Sequence, residues 1–161
     1  MTKTLCRGDV CSDSNLGTSQ LKGLATGRQA PLCPHPTSVQ SAMIVLVEGP
    51  ADLTAARSRG LPAVAISDDH AWGPECAELL AGRFVTVLMS AHPAGRAAAQ
   101  RMAEDLENVA AAVAVADFAP HREDGYELNE WLADHSDLSD VALRHLLAPT
   151  PDALTTGPLR T

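Results

Sequence analysis

Aromatic side chains are scarce in this chain: two Trp, one Tyr and two Phe make up 3% of its 161 residues. A core must therefore be assembled from Ala, Val and Leu, which favours close helix–sheet packing over large cavities. Lysine is almost missing, with Lys3 and Lys22 the only two. No apolar run approaches the roughly 20 residues needed to cross a bilayer, so no membrane partner is expected. The first residues offer no hydrophobic stretch after Lys3, so no secretory signal is expected and the compartment inferred is cytoplasmic. There is no G-x-x-x-x-G-K-[ST] loop, no G-x-G-x-x-G and no H-E-x-x-H, which speaks against a nucleoside triphosphatase, a dinucleotide enzyme and a zinc protease.

What is present divides unevenly. Residues 1–42 carry four basic groups (Lys3, Arg7, Lys22, Arg28) against Asp9 and Asp13, a balance of +2. The remaining residues carry 8 basic against 18 acidic groups, or −10, and together these give the net −8. An acidic domain is a poor general binder of nucleic acid, because phosphate affinity rests on Lys and Arg. Residues 1–42 are rich in Ser, Thr, Gly and Pro and show neither a period of 2 nor of 3.6, which predicts a disordered or poorly structured segment. The string Pro31-Leu32-Cys33-Pro34-His35-Pro36 suits neither a helix interior nor a central strand. Cys6, Cys11 and Cys33 with His35 invite a zinc reading, but Cys6-x4-Cys11 followed by Cys33-x-His35 departs from the usual ligand spacing. No zinc site is assigned there, and the cysteines are expected as free thiols.

From Met43 the pattern is regular. Apolar runs at 43–47, 63–66, 84–89 and 111–116 are each short and apolar on both faces, as buried parallel strands are. Between them lie helix signatures. Pro50 and Asp52 open the first helix, which Gly60 and Pro62 close; Pro74 opens the second and Gly82 ends it; Pro93 opens the longest, running to about Asn108. The alternation predicts an α/β domain over residues 43–147, built on a parallel four-stranded sheet with helices on both faces. A last helix is expected from about Leu138 to Leu147, and residues 148–161 are read as a flexible tail.

Ligands of open parallel sheets bind beyond the carboxyl ends of the strands. Those ends hold Glu48; Asp68, Asp69 and His70; Ser90 and His92; and Asp117. A shared acidic edge ordinarily serves a divalent cation that can organise phosphate chemistry. Glu48, Asp68, Asp69 and His92 are the candidate metal ligands, and Arg96, early in the third helix, is a candidate for binding phosphate or nucleic acid. Trp72 and Trp131 are read as packing residues.

Three segments together carry a resemblance: Val45-Leu46-Val47-Glu48-Gly49-Pro50-Ala51-Asp52, Arg59-Gly60-Leu61-Pro62-Ala63-Val64, and Ala94-Gly95-Arg96. Over residues 43–133, in this order and with Asp124-Gly125-Tyr126-Glu127-Leu128-Asn129-Glu130-Trp131-Leu132 at the end, the chain resembles the Toprim domain, in the primase-like branch. That domain is found in bacterial and phage primases, topoisomerases and related nucleases. The resemblance implies a Toprim or Rossmann-like fold and Glu48 as the catalytic general acid or base of phosphodiester chemistry. It also implies an Asp-x-Asp pair binding Mg²⁺ after the third strand. Here that tripeptide is Ser90-Ala91-His92, which replaces two hard anionic ligands with a hydroxyl and an imidazole. Mg²⁺ is poorly served by such a set, whereas Mn²⁺ or Zn²⁺ accepts imidazole more readily. The expectation is a catalytically impaired Toprim-type protein whose partners are nucleic acid or a replication protein. Two alternatives stand beside it: a metal-dependent phosphodiester enzyme that uses Glu48 with a rearranged ligand set, and a non-enzymatic interaction module or remnant of a larger replication protein.

Overall fold

The structure, a computed structural model, describes residues 31–67 and 72–147. Five strands form one sheet: β1 (Leu32–Cys33), β2 (Met43–Glu48), β3 (Ala63–Ile66), β4 (Phe84–Leu88) and β5 (Ala112–Val115), in the order β1-β3-β2-β4-β5. Five helices accompany them: α1 (Gly49–Ser58), α2 (Pro74–Leu79), α3 (Pro93–Leu106), α4 (Leu128–Asp134) and α5 (Asp140–Leu147). The block β3-β2-β4-β5 is parallel throughout, as the alternating pattern predicts.

The sheet is nevertheless mixed and five-stranded, not four-stranded. Leu32 and Cys33 pair antiparallel with Ile66 and Ala65. Part of the segment expected to be unstructured thus forms the outer strand beside β3. The prolines explain the form it takes. Pro31 and Pro34 bracket a pair too short to need an uninterrupted ladder, and an edge strand tolerates the missing N–H groups. Leu32 anchors the pair, being 1% exposed in the core. The polypeptide then makes a 3₁₀ turn at Pro36–Ser38, capped by His35, whose Nδ1 accepts from the Thr37 N–H. Cys33 is disulfide-bonded, not a free thiol, and its partner lies outside the described residues. Residues 1–30 and the expected tail at 148–161 lie outside them as well.

Side-chain alternation along the strands separates two apolar layers. Ile44, Leu46, Val64, Ile66, Val85 and Val87 pack against Cys76, Ala77 and Leu80 around α2 and against Ala98, Ala99, Met102 and Leu106 of α3. Val45, Val47, Ala63, Ala65 and Leu88 face the other way, onto Leu53 and Ala56 of α1, Leu128 and Leu132 of α4 and Leu143 of α5. Ile44, Val45, Leu46 and Val47 are all fully buried, each such side chain contributing about 1.5–3 kcal/mol. β2 is therefore the axis of the domain, and Glu48 at its carboxyl end stands on a rigid support. The alanines of α1 and α3 let the helices lie close on the sheet, as the shortage of aromatics requires. Trp72 packs against the first layer and donates its indole N–H to Asp105 at 2.8 Å, and Trp131 packs against the second. No helix among the described residues is long and apolar enough to cross a membrane.

Candidate functional site

The carboxyl ends of β2 and β4 lie side by side because the two strands pair in parallel from Met43↔Phe84 to Val47↔Leu88. This register brings Glu48 to Ser90. Glu48 occupies the N-cap position of α1, yet its carboxylate makes no capping bond there. Its Oε2 instead accepts from the Ser90 hydroxyl at 2.7 Å and from the Ser90 backbone N–H at 3.2 Å. Ser90 is 5% exposed and Glu48 half-buried. A carboxylate accepting two such bonds is fixed in direction and has part of its acceptor capacity spent.

The next turn of chain is just as tightly constrained. His92 caps α3: its Nδ1 accepts the Gly95 N–H at 3.1 Å. A ring nitrogen that accepts a hydrogen bond carries no proton, so in the neutral ring the proton sits on Nε2. Gly95 is indispensable to this arrangement for steric reasons. A Cβ built on it would stand 2.3 Å from the Ser90 carbonyl oxygen and 2.9 Å from its hydroxyl. The first turn of α3 can therefore lie on Ser90 only if residue 95 has no side chain.

Arg96 is paired within the chain. Its Nε donates to Asp117 at 2.7 Å, and its second terminal nitrogen donates to the carbonyls of Ala119 and Arg122 at 3.0 and 2.8 Å. Asp117 in turn accepts from the Ala119 N–H. The expected phosphate ligand is a clamp on the loop that leaves β5. The same loop continues as a strap over the strand ends. The Gly125 N–H donates to the Ala91 carbonyl, the Ala91 N–H donates to the Tyr126 carbonyl, and Ala91, Ala119 and Tyr126 form a small buried cluster. Arg122 lies 3.7 Å above the Tyr126 ring and pairs with Asp124, while the Tyr126 hydroxyl donates to Asp134.

Asp52 has a more unusual position than its place in a helical first turn suggests. It is 1% exposed, and its carboxylate accepts the Asn129 N–H at 2.8 Å, tying α1 to the start of α4. Burial, aided by the nearby charges of Glu127 and Glu48, pushes its pKa up to about 6, against the opposing pull of the backbone N–H groups of Asn129 and Leu128. In the sequence the only sign of this group is its spacing, four residues after Glu48 in the first turn of α1.

Of the four metal ligands expected, Asp68 and Asp69 lie outside the described residues, as does His70. Glu48 and His92 do come to the same sheet edge. There Glu48 Oε2 is engaged by Ser90, and His92 Nδ1 by the Gly95 N–H. Among the described residues no three His, Cys, Asp or Glu side chains gather into a metal-holding group. A groove of about 260 Å³, lined by Ser41, Met43, Gly60, Pro62 and Arg144, lies at the opposite, amino end of β2 and β3. It shares no residue with the Glu48 edge. No family model, curated protein or solved structure matches the chain.

Proposed function

We propose that this chain is a Toprim-like module of the primase-like branch whose strand-end site has lost metal-dependent phosphodiester chemistry and whose remaining role is interaction with a replication protein or nucleic acid. The observation that carries this reading is the bond pair from Ser90 to Glu48. In the Toprim resemblance the first metal-binding aspartate belongs where Ser90 stands and the general acid or base where Glu48 stands. A serine at that position donates to the glutamate, whereas an aspartate would repel it and require a cation between the two. His92, in the place of the second aspartate, supports the reading too, since its Nδ1 caps α3. The excess of negative charge from Met43 onward favours a protein partner over unassisted contact with a polynucleotide.

The test is thermal melting of the purified chain with and without Mg²⁺, Mn²⁺ and Zn²⁺, for the wild type, Glu48→Gln and the double variant Ser90→Asp/His92→Asp. Ligand binding to the folded state raises the melting temperature by mass action. The expected result is no cation effect on the wild type and a Mg²⁺-dependent rise in the double variant, which restores the aspartate pair. A wild-type rise abolished by Glu48→Gln would favour a metal-dependent phosphodiester enzyme with a rearranged ligand set. A double variant that folds and gains no Mg²⁺ response would remove the Toprim reading.

A further inference from the structure

The strap from Phe118 to Glu127 and the first turn of α4 cover the end of β4, and beside the burial of Tyr126 and Leu128 three polar contacts tie them to the rest of the domain. Arg96 grips the Ala119 and Arg122 carbonyls, Ala91 exchanges backbone bonds with Gly125 and Tyr126, and Asp52 accepts the Asn129 N–H. The first two do not depend on a proton near neutral pH, because arginine keeps its charge and backbone groups do not titrate. The third is different in kind. Asp52 is a carboxyl group closed off from solvent, and the charged groups facing it, Glu127 at the start of α4 and Glu48 at the end of β2, are both anions. Glu130, in the same first turn of α4, is directed to the Glu127 N–H.

We propose that Asp52 is a pH-sensitive latch on this strap, holding Gly125–Asn129 over the strand ends when it is protonated and loosening them when it is ionised. An ionised Asp52 is buried within reach of two other negative charges, so opening, which returns it to water, relieves both the burial and the repulsion. A protonated Asp52 has neither penalty, and its carbonyl oxygen still accepts the Asn129 N–H. The latched form holds its proton up to about pH 6, and the solvated carboxyl only to 3.8. Acidification through pH 6 therefore favours the latched form, and the advantage is lost as pH rises through 6. The strap lies against the candidate site: a Cβ on Gly125 would stand 3.9 Å from the His92 ring, and Ala91 pairs with Tyr126. Loosening it uncovers the Ser90-Ala91-His92 edge, whatever chemistry or binding that edge supports.

Hydrogen exchange of the Leu128 and Asn129 amides, resolved by NMR on the full chain between pH 4.5 and 8 and corrected for the intrinsic rate, tests this directly. The expected result is protection that falls as pH rises through about 6. Between pH 4.5 and 8 the fall should reach a factor of about 30, because the carboxyl titrates near 6 when latched and near 3.8 in water, and the first part of the change lies below pH 4.5. Asp52→Asn keeps an acceptor oxygen without the charge and should hold the high protection at every pH. Glu127→Gln, which removes a facing anion and retains a capping oxygen, should move the midpoint to lower pH. Protection that is flat with pH in the wild type overturns the latch. So does an unchanged pH dependence in Asp52→Asn, or a midpoint that Glu127→Gln leaves in place.

Discussion

Glu48 and Asp52 stand one helical turn apart at the start of α1, and the structure treats them in opposite ways. Glu48 is half-buried at the end of the central strand and is held by two donors from Ser90. Asp52 is closed off from water, tied to the amino end of α4 and pushed up to about pKa 6 by burial and by neighbouring carboxylates. The chemical group is the same in both cases. What differs is whether the neighbours supply hydrogen-bond donors or remove solvent, and that decides whether a carboxylate is held in one direction or has its proton affinity raised.

The largest expected effect comes from breaking the Glu48 side of this comparison. Gly95→Ala forces a methyl group against the Ser90 carbonyl and hydroxyl, at 2.3 and 2.9 Å before any relaxation. It should cost about 3 kcal/mol, the upper end of ordinary overpacking, read as a lower urea midpoint with an unchanged slope. An unaffected midpoint would mean that α3 does not rest on Ser90.

The Asp52 side gives a pH signature. Its folded pKa is raised above the unfolded value of 3.8 to about 6, so its stabilising contribution is complete below 3.8 and is lost as pH rises through 6. Below pH 6 the wild type should gain about 1.4 kcal/mol per pH unit relative to Asp52→Asn, until the unfolded chain also takes up the proton. Parallel urea titrations of the two proteins at pH 5 and pH 7 check this, and the difference between them removes contributions from the histidines. A constant gap at the two pH values would sink the assignment.

Ser90→Ala should cost about 1 kcal/mol, a typical net value for one hydrogen bond, because the Ser90 backbone N–H still reaches Glu48. This loss should be equal at pH 5 and pH 7, which separates it from the Asp52 effect. Arg96→Ala should cost least in global stability, less than Ser90→Ala, since its ion pair with Asp117 is partly exposed. Its effect should be local instead, as faster exchange of the backbone amides of residues 119–122. Global destabilisation well above that of Ser90→Ala would show that the clamp supports more than the loop.

Much of the architecture is legible in the order of residues. The four apolar runs with Pro- and Gly-bounded helices between them lead directly to β2 through β5 and α1 through α3, because strand and helix periods and terminal signals are local properties. β1 escapes such a reading. Two residues between prolines carry no period, and only the open flank of β3 turns Leu32 and Cys33 into a strand. The candidate site divides in the same way. Glu48 and His92 stand out because they follow apolar runs, and the structure does bring them to one edge. Arg96 has the composition of an anion ligand, but its bonds to Asp117, Ala119 and Arg122 come from chain 21 to 26 residues away. Asp52 resembles an ordinary helix-opening acid until α4 is laid over it.

The order of residues alone was thus enough for the alternation of elements, the parallel block and the placing of Glu48 at a strand end, all consequences of local periodicity and of chain breakers. The partners of each polar group were settled by packing between distant segments: Ser90 against Glu48, Gly95 against Ser90 and Asn129 against Asp52. Hydrogen bonds and burial depend on which remote parts of the chain meet, and so, therefore, do the proton affinity of Asp52 and the acceptor role of His92.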